Sequence, residues 1–155
     1  MSIYGDKAAF YFRSGYNCAQ AVYAAFADRM NISEEDALRR VSGLGGGIGR
    51  MREVCGAVSA AALVLSELYG YTDARDDDAK KELYAHIQEV SAQFKAEYST
   101  IICRELLCLK KNDITPNPTP RSAAFYKERP CLGFVVSAAE ILDKYLDSLQ
   151  KQRGC

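Results

Sequence analysis

Gly43-Leu44-Gly45-Gly46-Gly47-Ile48-Gly49-Arg50-Met51-Arg52-Glu53-Val54-Cys55-Gly56-Ala57-Val58-Ser59-Ala60 joins a loop of five glycines to a cysteine and then to the most apolar helical stretch of the chain. From Val54 to Tyr69 the only charged residue is Glu67. Small residues crowd its start, and Val58, Ala61, Ala62, Leu65 and Leu68 lie around it, the pattern of a central helix. The glycines permit tight bends and close backbone approach. They do not make a dinucleotide site, because G-x-G-x-x-G spacing and a preceding strand are both missing. The Lys-Ser/Thr ending of a P-loop is missing too.

Outward from this stretch, the chain reads as helices separated by caps and breaks. Ala8-Ala9-Phe10-Tyr11-Phe12 forms a short helix ending near Gly15. Asn17 caps the next, which opens at Cys18 and turns Cys18, Val22, Ala25 and Phe26 inward. Ser33 with Glu34, Glu35 and Asp36 starts another, stopped at Gly43. Asp76-Asp77-Asp78 is an acidic N-terminus for a longer amphipathic helix reaching about Tyr98, with Leu83, Ile87, Val90 and Phe94 as its inward stripe. His86, the only histidine, borders that stripe and reads as structural. A further helix starts at Cys103, and Asn117-Pro118-Thr119-Pro120 is a rigid connection. The last helix runs from Cys131 through Phe134, Val135, Ala138, Ile141, Leu142, Tyr145 and Leu149. The expected fold is all-α, a compact bundle of about five to seven helices around a central apolar helix, in a single domain spanning residues 1–155.

Formal net charge is zero and no basic cluster carries interleaved aromatics, which gives no support to nucleic-acid binding. The opening residues lack the features of a secretory signal, and the longest apolar run is too short for membrane insertion. A cytoplasmic location is expected. In such a reducing setting six cysteines point to metal binding or thiol chemistry more than to a disulfide framework.

Cys18, Cys55, Cys103 and Cys131 all fall at or near expected helix N-termini, where unsatisfied amides and the helix field favour a thiolate. Arg50 and Arg52 add positive charge beside Cys55. The four cysteines are candidate ligands for a metal ion or cofactor such as zinc or an iron–sulfur cluster, and spacing does not choose among them. Cys55 and Cys18 are equally candidates for catalytic thiol–disulfide exchange, Cys55 attacking and Cys18 resolving. A third reading makes the cysteines core residues of a helical interaction module. Cys108 lies about 140° around a helix from Cys103 and is expected to pack as a hydrophobe, with Cys155 a tail thiol. No C-x-x-C is present, which argues against a thioredoxin-like dithiol and against the usual zinc knuckle. A redox partner protein and a homo-oligomer are both compatible with the chain.

Gly15-Tyr16-Asn17-Cys18-Ala19-Gln20-Ala21-Val22, Gly45-Gly46-Gly47-Ile48-Gly49, Cys55-Gly56-Ala57-Val58-Ser59, Cys103-Arg104-Glu105-Leu106 and Cys131 together give the chain a family likeness. It resembles the redox-active proteins named for their separated cysteines and a C-G-A-x-x-G motif. The likeness runs from about residue 8 to residue 146, and Ala60 stands at the motif's final glycine. The resemblance implies a small, cytoplasmic, mainly bacterial protein with redox or transport associations, and makes Cys18, Cys55, Cys103 and Cys131 the family's four recurring cysteines. Related domains occur in haem proteins, but no C-x-x-C-H is present here for covalent attachment.

Overall fold

The computed structural model describes residues 2–111 and 113–154. Among them are nine α-helices: α1 (Ile3–Arg13), α2 (Cys18–Ala25), α3 (Ala27–Met30), α4 (Glu34–Arg40), α5 (Gly56–Tyr69), α6 (Asp77–Tyr98), α7 (Cys103–Leu106), α8 (Ala123–Glu128) and α9 (Cys131–Arg153). A 3-10 turn at Ser42–Leu44 follows α4. The chain is all-α, but its helix count exceeds the expected five to seven. The two unexpected helices are α3 and α8, of four and six residues. Neither is long enough to display a 3.6-residue apolar repeat, so periodicity cannot find them.

Local capping accounts for most helix starts. The Ser2, Ser33, Asp76 and Ser122 side chains accept backbone N–H groups at the starts of α1, α4, α6 and α8. Asn17 and Gln20 form a reciprocal capping box at the start of α2, satisfying two N–H groups at once. Gly43 does not stop α4 by a left-handed cap. The helix ends at Arg40 and Gly43 lies within the 3-10 turn.

The expectation of one central apolar helix also needs correction. α5 packs on α2, α6 and α9, yet Leu63 is exposed and Glu67 faces solvent. The more enclosed helix is α2, which contacts α1, α4, α5 and α9. Ala19, Ala21, Val22, Tyr23, Ala24 and Ala25 are all buried there. Alanines give α2 a modest hydrophobicity in sequence, but their small size lets neighbouring helices approach on every side. No helix among the described residues is long and apolar enough to cross a membrane.

The longer helices close the core around this centre. Leu83, Val90 and Phe94 of α6 and Phe134, Val135, Ala138, Leu142 and Leu146 of α9 are buried. His86 is buried as well, its Nδ1 2.6 Å from the Tyr145 hydroxyl oxygen.

These placements make opposite predictions for two substitutions. Ala21→Leu adds volume where α2 has no room and should destabilise the protein by about 1–3 kcal/mol through overpacking. Leu63→Ala on the exposed edge of α5 should stay within about 0.5 kcal/mol of the parent. Urea unfolding of both variants measures the difference.

Candidate functional site

Two helix starts meet at the centre of the site. Cys18 is the first residue of α2 and Cys55 is the N-cap of α5. The two thiols interact, with the negative charge favoured on Cys18 and the proton on Cys55. Gly56 makes this approach sterically accessible. A Cβ there would lie 2.6 Å from Cys18 Sγ and 2.9 Å from the Leu44 carbonyl oxygen, closer than real Cβ contacts come.

That interaction gives the two thiols opposite character. Cys18 is lowered to about 6, chiefly because the Cys55 thiol donates to it. Burial opposes that shift, and the backbone N–H groups of Gly46, Gly56 and Ala19 reinforce it. Cys55 is raised well above the ordinary thiol range by donating to Cys18, by burial and by the neighbouring negative charge. One thiolate and one thiol therefore share a proton-ordered pair.

The Gly46 donor comes from an unusual piece of backbone. Residues 46–50 all have positive φ: Gly46 64°, Gly47 71°, Ile48 65°, Gly49 54° and Arg50 61°, and Arg52 follows at 63°. Such left-handed geometry costs an L-residue roughly 1–2 kcal/mol. Backbone bonds from Gly49 to Gly43 (2.8 Å), Arg50 to Gly45 (3.1 Å), Arg52 to Gly46 (3.0 Å) and Glu53 to Gly47 (2.9 Å) hold the turn. Side chains brace it too. Arg50 donates to the Thr115 carbonyl oxygen and hydroxyl, to Thr119 and to the Asp113 carboxylate. Asn17 Nδ2 reaches the Ser42 carbonyl at 3.0 Å, tying the start of α2 to the chain just ahead of this loop.

Beyond the loop, a short antiparallel bridge pairs Val54 with Ile102. The Cys55 N–H donates to Ile101 at 2.8 Å and the Cys103 N–H donates to Glu53 at 2.6 Å. These bonds set the start of α7 beside the start of α5. Cys103 is buried, with an Arg52 guanidinium nitrogen 3.8 Å from its sulfur. Burial raises its pKa despite that donor. Cys131, the first residue of α9, is pushed up to about 12, first by burial and then by the negative charge on Cys18.

All four cysteines line one cavity of about 550 Å³. Phe12, Phe125 and Phe134 give it apolar walls, and Arg50, Arg52, Arg121 and Arg129 also line it. The arrangement is unequal: Cys18 and Cys55 act chiefly on each other, while burial is the main influence on Cys103 and Cys131 and raises both. Among the described residues, no group of three or more His, Cys, Asp or Glu side chains is placed to hold a metal ion. The five described cysteines are free thiols. The donor set thus does not fit the zinc or iron–sulfur centre that the sequence suggested.

Cys108 does not pack as a hydrophobe. α7 ends at Leu106, so no continuous helix carries Cys103 and Cys108. Cys108 has φ of 51° and is exposed. Cys155 lies outside the described residues. Sequence reading did not single out Arg121 or Arg129 as site residues, because isolated arginines after a proline-rich connection carry no spacing signal. Arg121 is fixed by stacking, its guanidinium carbon 4.7 Å from the Phe12 ring centre and 4.4 Å from that of Phe125. It also donates to the Tyr16 carbonyl at 3.0 Å.

Residues 16–145 match the family model described as "Putative redox-active protein (C_GCAxxG_C_C)", and the chain belongs to that family. No curated protein matches it, and no solved structure does. The family's cysteine-glycine-alanine signature coincides with the start of α5, where Gly56 admits the Cys18 sulfur. Ala60, at the motif's final glycine, is fully buried in α5, so its methyl group is accommodated within the packing.

Gly56→Ala should force Cys18 Sγ away from its donors and move its pKa toward the ordinary range. Once the thiol is mostly protonated at the working pH, each further unit of that movement lowers its thiolate content about tenfold. Iodoacetamide labelling of Cys18 at pH 6.5, followed by peptide mass spectrometry, should show slower reaction in the variant. An unchanged rate would mean that the close approach at Gly56 does not shape the thiolate.

Proposed function

We propose that this member of the redox-active family works by dithiol–disulfide exchange, with Cys18 as the attacking thiolate and Cys55 as the resolving thiol. The observation that carries this reading is the meeting of two helix-start cysteines at one cavity, with Cys18 Sγ seated against Gly56, the residue that follows Cys55. Only the thiolate attacks a disulfide efficiently, and a thiol with a pKa near ambient pH combines availability with nucleophilicity. Cys18 meets that requirement with a pKa lowered to about 6. These roles reverse the sequence expectation, which drew on the arginines near Cys55. The arginines turn elsewhere: Arg50 toward residues 113–119 and Arg52 toward Cys103 and the Asp113 carbonyl.

The exchange proceeds in two balanced steps. Cys18 Sγ attacks one sulfur of a substrate disulfide, forming a Cys18–substrate disulfide and expelling the other substrate sulfur as a thiolate, which takes a proton from solvent. Cys55 then attacks Cys18 Sγ, forming the Cys18–Cys55 disulfide and releasing the second substrate thiolate. The proton lost by Cys55 passes to that leaving group. Two electrons have moved from the protein dithiol to the substrate, and the reverse sequence oxidises a substrate dithiol.

The electrostatics order these steps. While Cys18 is ionised, its acceptance of the Cys55 proton and its charge both keep Cys55 protonated. Once Cys18 is capped, both influences disappear. Burial still raises Cys55, while the Ala57 and Val58 amides at the start of α5 lower it. Resolution is thereby favoured after the first bond forms, and not before.

A four-thiolate centre receives less support. It needs several sulfurs converging on one point, whereas the contact here is pairwise and no three candidate ligands stand together among the described residues. Cys103 and Cys131 serve in the dithiol reading as uncharged cavity wall.

The pH dependence tests the assignment. Because Cys18 is depressed to about 6, its alkylation should be fast above that pH and fall away below it as sulfur is protonated. An ordinary thiol near 8.5 is only a few per cent ionised at pH 7, so it should react slowly there. Anaerobic labelling from pH 4 to 10 should therefore modify Cys18 first, with Cys55, Cys103 and Cys131 reacting later. Cys55→Ala should accumulate a stable mixed disulfide at Cys18 when a disulfide is added. The roles fail if Cys18 labels together with ordinary thiols, or if Cys55→Ala resolves its adduct as fast as the parent.

A further inference from the structure

The cavity above Cys18 has a charge imbalance that the exchange chemistry does not use. Its lining includes Arg50, Arg52, Arg121 and Arg129 and no aspartate or glutamate. Arg50 is matched by the Asp113 carboxylate 3.3 Å away. Among the described residues, Arg52, Arg121 and Arg129 have no carboxylate at ion-pairing distance. The negative charge facing them is the single Cys18 thiolate, since burial keeps Cys103 and Cys131 protonated.

Two of these arginines are held with donor capacity left over. Arg121 lies over the neighbouring Phe12 and Phe125 rings, and one guanidinium nitrogen bonds to Tyr16. Its Nη1 is buried without a hydrogen-bond partner, which costs free energy unless a ligand or water supplies an acceptor. Arg129 lies over the Phe125 ring at 5.5 Å and is half-buried at the cavity wall. A planar guanidinium on an aromatic face presents its N–H fork edgewise, the geometry that receives a carboxylate. The cavity volume of about 550 Å³ falls in the range that holds small-molecule ligands. Its mixture of phenylalanine walls and unmatched guanidinium groups suits a flexible molecule with an apolar stem and acidic ends.

We propose that the substrate of the Cys18–Cys55 pair is a small disulfide bearing carboxylates, which Arg121 and Arg129 anchor so that its sulfurs meet Cys18. This rests on the exchange reading for its chemistry, but the anion site stands on the cavity's own geometry and charge. The bond changes are those of the two-step exchange above: the bound disulfide gains two electrons and leaves as two thiols, and the Cys18–Cys55 disulfide remains.

Two disulfides of opposite charge test the inference on the full, reduced chain under anaerobic conditions. Oxidised glutathione is a net anion with several carboxylates, and cystamine is a cation of the same functional class. Electrostatic complementarity of this kind changes association by about tenfold or more at low ionic strength. Oxidised glutathione should oxidise the pair at least about tenfold faster than cystamine, and added salt should narrow the ratio. Arg129→Gln and Arg121→Gln, each checked for parental helicity by circular dichroism, should each shrink that ratio several-fold. Arg129→Gln carries the test if removing Arg121 from its aromatic stack prevents folding. Equal or faster reaction with cystamine, or an unchanged ratio in Arg129→Gln, would overturn the substrate assignment. If neither disulfide reacts, the exchange reading fails, and S-methylglutathione then decides the anion site by calorimetry. Saturable binding that Arg129→Gln weakens supports the site, whereas no binding refutes it.

Discussion

The meeting of the helix starts at Cys18 and Cys55 depends on an absent side chain. Gly56 opens α5 where any Cβ would collide with Cys18 Sγ and the Leu44 carbonyl. That absence lets the starts of α2 and α5 meet, with Cys18 Sγ seated against Gly56. The two thiols are left unequal, Cys18 lowered and Cys55 raised. Helix N-termini favour thiolates in general, but four helix-start cysteines here have unequal surroundings. Burial overrides the local field at Cys103 and Cys131.

The glycine loop is the second constraint, and it works by strain held in place. A left-handed turn through residues 46–50 delivers the Gly46 amide to Cys18. Gly47 is needed for closeness as well as conformation, since a Cβ there would lie 2.6 Å from the Glu53 nitrogen and 2.7 Å from Cys103 Cβ. Ile48, Arg50 and Arg52 adopt the same region without glycine's freedom. Their cost is offset by the loop's internal hydrogen bonds and by Arg50's attachment to the segment at 113–119. The loop is therefore a positioning element for both the α2–α5 meeting and the α7 start. The cavity that the four cysteines share is lined as well by Arg50, Arg52, Arg121 and Arg129.

Much of the helical framework was legible because its causes are local. The Asn17–Gln20 capping box, Ser33 before three acids, and the apolar repeats of α6 and α9 act over a few residues and appear directly in the chain. The short α3 and α8 left no such pattern. The alanine-rich α2 was easily underrated, since its value lies in the volume it does not occupy. Cysteines at helix starts were equally readable, but their individual roles were not. Spacing could not distinguish a touching pair from two neutral wall residues, and a four-ligand reading followed naturally from treating them as equivalent. Cys108 shows the same limit: helical projection assumed that α7 continued, and it does not.

The sequence by itself determined an all-α chain, the principal caps and amphipathic faces, and a family signature centred on Cys55-Gly56-Ala57. Tertiary structure decided that α2 is the most enclosed helix, that the helix starts at Cys18 and Cys55 meet, and that Arg121 and Arg129 line the same cavity. The division follows the range of the forces involved. Caps and periodicity arise from neighbours within about one or two turns. Sulfur contact, burial and cavity charge arise only when residues distant along the chain are packed together, and it is there that Gly56 brings the start of α5 against Cys18.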